Sequence, residues 1–310
     1  MVLAAVCQLT SSASIPSNLS TCLSLLKRSA SAGAKAVFFP EASDFISSGS
    51  GPPGEEVARL TRSKENEDFV RGLREGAKRE GVWISVGVHE DPERPIQVAG
   101  SSRGAASLNE PVQDAKRCFN SHLIIDDRGE VALKYRKTHL FDVDIVGGLR
   151  IKESDTTIPG SSLESPLSTP IGKLGALTCY DLRFPEPSLS LRRQGAEILL
   201  YPSAFTVRTG AAHWAPLLQA RAIETQCYVI ASAQVGVHNP KPEGGPQGRT
   251  SYGHAMIIDP WGSIVAQCGD MQPYKPSFAL ADIDLSSMAS LRQEMPLWQQ
   301  RRSPQIYPSI

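Results

Sequence analysis

The sequence has no long apolar run, no surplus of either charge and few aromatic residues. Its 310 residues hold 32 Lys plus Arg against 32 Asp plus Glu. With no basic block to neutralise phosphates, nucleic acid and an anionic membrane surface are poor candidates for the main partner. No apolar stretch approaches the ~20 residues that cross a bilayer, so a soluble chain is expected. Met1 to Cys7 is apolar, yet no basic residue precedes Lys27, so this start reads as a buried first strand and not as a secretory leader. Cys7, Cys22, Cys118, Cys179, Cys227 and Cys268 lie far apart without a CxxC pair. That argues against a disulfide framework and a structural zinc site, and predicts reduced thiols in the cytoplasm. A small molecule is left as the expected partner.

What is present is a strand and helix alternation. VLAAVCQL, then Leu19, Cys22, Leu23 and Leu26 at helical spacing before Gly33, then AVFFP, read as strand, helix, strand. A polar helical stretch from Glu55 to about Arg79 leads into the strand VWISVGVH, and RCFNSHLIID and VALKYRK flank Asp127-Arg128-Gly129 as a hairpin. Further on, KLGALTC, AEILLYP, CYVIASAQ and FALADIDL read as strands, PSLSLRRQG and AAHWAPLLQARAIETQ as helices, and HAMIIDPWGSIVAQC as a strand pair turning at Pro260-Trp261-Gly262. The pattern predicts an α/β fold of mixed sheets covered by helices. Length alone would suit two domains at ~150 residues each, but no internal linker is visible, and residues 1–310 read as one domain. Asp91 to Pro111 and His238 to Thr250, rich in Pro and Gly, read as mobile surface loops able to border a pocket.

Polar residues just beyond apolar strands are the first places to look for chemistry, because ligands in open α/β sheets gather there. Glu41 follows AVFFP, Lys137 follows VALKYR, and Cys179 follows KLGALT and precedes a turn and helix. Singly, each has a bland reading as a capping acid, a surface lysine and a small buried thiol. Together they make a device for acyl transfer. A free cysteine with pKa ~8.5 needs a base or cation to become a thiolate; Glu41 would take the proton and Lys137 would stabilise negative charge. A strand-to-helix turn at Cys179 would project the sulfur and offer the Tyr180 N–H to an oxyanion. The scheme requires no cofactor.

FFPEASD, KYRKTHLFDVD and CYDLRFPE resemble, in order and spacing, the three catalytic blocks of the nitrilase superfamily, the carbon-nitrogen hydrolases. The resemblance continues through PSAFTVRTGAAHW, RAIETQCYV, SYGHAMIIDPWG and MPLWQQRR, nearly the whole chain. It implies a four-layer α-β-β-α sandwich that forms a homodimer through helices. It also implies Glu41 as general base, Lys137 as cationic stabiliser, Cys179 as nucleophile and Glu153 as an additional active-site carboxylate. The wording is most similar to the branch that hydrolyses the amide of deaminated glutathione. The alternatives are an omega-amidase acting on alpha-ketoglutaramate or alpha-ketosuccinamate, and a catalytically inactive binding scaffold. One departure stands out: the family places Glu after His-Trp, where this chain has Ala215-Pro216. A proline in a helix's first turn would leave the fold intact.

Arg183, four residues beyond Cys179, is the candidate clamp for a substrate carboxylate, since a guanidinium presents paired donors; its bland alternative is a structural pair with Asp181 or Glu186. Tyr180, Thr206 and Thr209 are further candidate substrate contacts. His139 is expected to hold the Lys137 loop by a hydrogen bond, and Asp142 and Asp144 to order a loop. A Cys-His hydrolase lacks a papain-like or caspase-like string, and metal catalysis lacks HExxH or a complete EF-hand.

Overall fold

A computed structural model describes residues 1–49, 54–100, 116–144, 150–240, 248–302 and 306. Strands β1 (Val2–Leu9), β2 (Ala36–Phe38), β3 (Trp83–Glu90), β4 (Cys118–Ile125) and β5 (Val131–Arg136) lie side by side, parallel from β1 to β3 and antiparallel from β3 to β5. Helix α1 (Ile15–Ser31) connects β1 to β2; α2 (Glu55–Thr61) and α3 (Lys64–Glu80) connect β2 to β3. A ribbon of β6 (Asp142–Asp144) and β7 (Arg150–Lys152) follows, then β8 (Thr157–Ile158), which joins β4.

A second sheet begins with β9 (Leu167–Thr169), β10 (Gly172–Ala176), β11 (Ile198–Leu200) and β12 (Tyr228–Ala231), with α4 (Pro185–Arg193) and α5 (Val207–Thr225) between its parallel strands. The chain then returns to the first sheet in β13 (Ala233–Val237) and β14 (Thr250–Tyr252). It extends the second sheet with β15 (Met256–Ile258) and β16 (Ile264–Gln267), and ends with β17 (Ser277–Ile283) against β1 and α6 (Leu285–Glu294).

The layering follows from alternation along β1, where successive side chains point to opposite faces. Ala5, Cys7 and Leu9 pack with Leu25 and Leu26 of α1 and Phe69 and Leu73 of α3. Ala4 and Val6 face the other way, into a core with Leu174, Ala176, Ile198 and Leu200 of the second sheet, which continues to Trp214 and Leu218 of α5. The order is helices, sheet, sheet, helices. Because β1 and its parallel neighbours are covered on both faces, their sequences are near-continuous apolar runs.

Three local readings change. The polar helical stretch is two helices, because the Ser63 hydroxyl caps α3 by accepting from the Asn66 N–H. CYVIASAQ is two strands: at Ser232 the chain crosses from the second sheet to the first, and the Ser232 hydroxyl donates to the Phe39 carbonyl at 2.8 Å. Both halves are buried, so no change in apolar pattern marks the crossing. Helix α5 starts at Val207, four residues before the sequence signal, so Pro216 sits inside it and not in its first turn. The helix continues past a backbone carbonyl that a proline cannot serve. Residues 101–111 and 241–247 of the two expected loops lie outside the described residues.

Candidate active site

Where β2 ends, Pro40 leads to Glu41 and then to Ala42, which has φ +54°. This tight reversal lies directly on β3: Gly87 donates to the Pro40 carbonyl and accepts from the Ser43 N–H. Where β5 ends, the Lys137 carbonyl accepts from Gly160 at 2.8 Å, and a Cβ on Gly160 would sit 2.1 Å from the Arg136 carbonyl oxygen. Where β10 ends, Cys179 has φ +46°, a left-handed conformation uncommon for a residue with a side chain and concentrated at functional turns. The short 3-10 helix Cys179–Arg183 starts there. Among the described residues the Tyr180 N–H has no hydrogen-bond partner.

These three strand ends meet in a cleft of about 260 Å³. Lys137 Nζ lies 2.9 Å from Glu41 Oε1 and 2.9 Å from Glu153 Oε2, with side-chain exposures of 2%, 7% and 16% respectively. Asn120, near the start of β4, donates to Glu41 at 2.8 Å and to Glu153 at 3.1 Å. The Ala204 N–H donates to Glu41 Oε2 and the Phe141 N–H to Glu153 Oε2. Two carboxylates and one ammonium thus share a nearly dry site. Backbone and amide donors offset the remaining negative charge, as buried ions require.

Each group's protonation follows from this arrangement. Burial pushes the Glu41 carboxyl upward, but the Lys137 ammonium and the hydrogen bonds outweigh it and hold Glu41 below its usual range. Burial opposes charge on Lys137, yet the Glu153 and Glu41 carboxylates keep it well above its usual value. Burial, then the neighbouring Glu41 carboxylate, pushes the Cys179 thiol up, against the pull of Lys137 and the Ala204 N–H. The resting site is therefore a thiol beside a carboxylate and an ammonium. Such a set can pass a proton from sulfur to oxygen when an electrophile arrives.

Asp181, fully buried, ties the segments together. It accepts from the Thr178 N–H at 2.9 Å at the cysteine turn, from Tyr135 Oη at 2.7 Å, and from the His139 N–H at 3.1 Å; His139 Nδ1 lies 2.7 Å away. His139 thus holds the Lys137 loop, as expected. Asp181 is thereby engaged and does not pair with Arg183. The Arg183 guanidinium instead lies 3.2 Å from His213 Nδ1 and over the rings of Tyr180 and Phe205. Among the described residues it has no carboxylate partner. Thr206 and Thr209 line the cleft with their hydroxyls bonded to each other at 2.9 Å. Asp142 accepts from the Ser154 N–H and hydroxyl and so orders the turn carrying Glu153.

Sequence reasoning missed Asn120, the Ala204 and Phe141 N–H groups, and His89 with Asp44. Asn120 had a usable signal, a polar residue inside an apolar strand run. The backbone donors had none. No group of three or more His, Cys, Asp or Glu that could hold a metal occurs among the described residues.

The family model described as carbon-nitrogen hydrolase matches residues 3–293. A Schizosaccharomyces pombe protein named probable hydrolase nit2 is 43% identical over all of both chains. The human deaminated glutathione amidase is 43% identical, covering 99% of this chain and 84% of its own. Among solved structures, the Caenorhabditis elegans NitFhit protein superposes with a TM-score of 0.82 at 40% identity, over 99% of this chain and 66% of that one. Saccharomyces cerevisiae Nit3, a nitrilase-superfamily member, gives 0.71 at 26% identity, over 97% of each chain.

Proposed function

The chain belongs to the carbon-nitrogen hydrolase family and acts on amides; from that premise we propose that its substrate is deaminated glutathione and that the reaction passes through a thioester on Cys179. The observation that carries the mechanism is the convergence of Cys179, the Glu41 carboxylate and the Lys137 ammonium in one cleft, with Lys137 Nζ 2.9 Å from Glu41. Glu41 takes the thiol proton as sulfur bonds to the amide carbon. The oxyanion faces Lys137 and the Tyr180 N–H, and donors fixed in place before reaction are worth most in such a dry site. As the C–N bond breaks, Glu41 returns the proton to the departing nitrogen and the amine leaves. A water activated by Glu41 then cleaves the thioester, releasing the keto acid and restoring the thiol. Glu153, bonded to Lys137 through both oxygens, holds the ammonium in place.

The charge of the cleft supports an acidic substrate. Its lining carries Glu41 and Glu153 against Lys137, Lys152, Arg183 and Arg249. Arg183 stands on the nucleophile's own turn with its fork unused by any carboxylate among the described residues, and it is assigned the alpha-keto carboxylate of the acyl portion. Tyr180 and Phe205 flank that guanidinium, while Thr206 and Thr209 line the same cleft.

The relatives named deaminated glutathione amidase favour that substrate over an omega-amidase substrate. A panel of deaminated glutathione, alpha-ketoglutaramate, glutamine and an uncharged amide tests this reading. Deaminated glutathione is expected to rank first, with a mass increase on Cys179 after quenching. Acylation of another cysteine, or near wild-type turnover by Cys179→Ala, would falsify the mechanism. Arg183→Lys is expected to raise KM for keto-acid amides much more than for the uncharged amide; equal losses would make Arg183 structural.

A homodimer built through the outer helices is also part of this reading. It is supported by exposed apolar side chains, among them Ile223 of α5, Trp261, and Ile264 and Val265 of β16, and a sedimentation measurement tests it. A cytoplasmic site agrees with six free, buried cysteines. Among the described residues no helix is long and apolar enough to cross a membrane, and the balanced charge gives no basis for a nucleic-acid partner.

A further inference from the structure

One titratable group in the cleft takes no part in the chemistry above. His89, near the end of β3, lies directly opposite Asn120 in the β3–β4 ladder, so both side chains share one face of the sheet. Asp44, three residues beyond Glu41 and fully buried, holds it twice: the His89 N–H donates to Oδ2 at 2.7 Å, and Nδ1 lies 3.0 Å from Oδ1. The Phe45 ring stacks on the imidazole with centroids 4.0 Å apart. Beside a buried carboxylate, Nδ1 carries the proton, and the ring orientation is fixed. That leaves Nε2, which has no partner among the described residues, on a side chain that lines the cleft and is 17% exposed. Burial disfavours the imidazolium, but Asp44 first, then Glu41 and Glu153, outweigh it, hold His89 above its ordinary value and favour the doubly protonated ring, in which Nε2 as well as Nδ1 is a donor.

The side of the cleft matters. Glu41 must hand its proton to the departing nitrogen, so the leaving portion passes beside the Glu41 segment. Ala42, Phe45 and Ile46 of that segment line the cleft together with His89. The acyl portion lies towards the cysteine turn, where Arg183 stands.

We propose that His89 contacts the leaving portion of the substrate, donating from Nε2 to a carbonyl or carboxylate oxygen of a dipeptide-like amine, and so favours amides whose leaving group is larger than ammonia. This rests on the amidase reading given above. Deaminated glutathione and alpha-ketoglutaramate place the same acyl group on Cys179 and form the same thioester. They differ in what leaves: a cysteinylglycine dipeptide or ammonia. The ratio of their kcat/KM values therefore isolates contacts to the leaving portion, and it does not depend on what fraction of a preparation is folded.

His89→Asn puts an amide donor where Nδ1 was, keeps the bond to Asp44 and removes Nε2. The ratio is expected to fall roughly tenfold to a hundredfold, the range for losing a charge-assisted hydrogen bond. His89→Gln, which places an amide near the Nε2 position, is expected to recover part of it. Equal losses on the two substrates, or an unchanged ratio in both variants, would overturn the assignment while leaving the amidase reading intact. Failure of the wild-type protein to cleave deaminated glutathione would instead sink the substrate reading, and this inference with it.

Discussion

Gly87 and Glu41 share a space that only a hydrogen atom fits. A Cβ on Gly87 would lie 2.6 Å from the Glu41 Cα and 3.1 Å from the Pro40 carbonyl oxygen. The proposed base is thus carried on a turn pressed against the backbone of the neighbouring strand. Gly87→Ala is expected to destabilise the fold by ~1–3 kcal/mol, the range for overpacking a tight interior, and to lower kcat per folded molecule because Glu41 must move. Denaturant unfolding with turnover measured on the same preparation checks both. Wild-type kcat with lowered stability would show that the turn yields without shifting the carboxylate.

Asn120 bridges Glu41 and Glu153, and its bond to Glu41 favours the charged form. In Asn120→Leu that support is gone while burial still pushes the carboxyl upward, so its pKa rises. If Glu41 acts as the carboxylate, the acid limb of kcat/KM against pH moves to higher pH in the variant. A shift to lower pH, or none, would contradict the role given to this amide.

Away from the cleft, Glu90 is 1% exposed and accepts from Arg136 at 2.9 and 3.0 Å, Ser121 at 2.6 Å and Lys134 at 2.5 Å. Burial raises its pKa, but Arg136 and Lys134 outweigh that and hold it below the usual value. Its contribution is therefore complete above the unfolded-state pKa and is lost as pH falls through the lower folded value. Breaking such a buried pair costs ~3–5 kcal/mol; because Lys134 and Arg136 are 14% and 22% exposed, Glu90→Gln is expected near the bottom of that range at neutral pH. In urea titrations across pH, the variant should show a smaller loss of stability in acid than wild type.

The sequence carried most of the frame because its signals were local. The hairpin at Asp127-Arg128-Gly129 and the apolar β1 and β2 were legible from turn chemistry and composition, and the Glu41, Lys137 and Cys179 blocks from strand ends and family wording. What stayed hidden depended on neighbours remote in sequence. Nothing around Ser232 shows that one apolar run serves two sheets. Nothing around Asp181 shows that its partners come from residues 135–139 rather than Arg183 two positions away. Nothing around His89 points to Asp44, because the link exists only once β3 lies beside the turn after β2. The start of α5 was missed because Val207 to Gly210 carries no apolar period; Gly210 is there for fit, since a Cβ would lie 2.2 Å from the Tyr252 ring.

Asp181 has a consequence for how such a cleft can change. One carboxylate grips both the turn that carries the sulfur and the loop that carries the ammonium, although these arise from different sheets. The spacing between the two is thereby set by one buried side chain and not by the packing of the two sheets alone. The Ala42 to Ser47 wall of the cleft lies outside that clamp. Its Phe45, Ile46 and Ser47 side chains can be exchanged to admit a different amine while the clamp is untouched, which separates the tuning of selectivity from the tuning of rate.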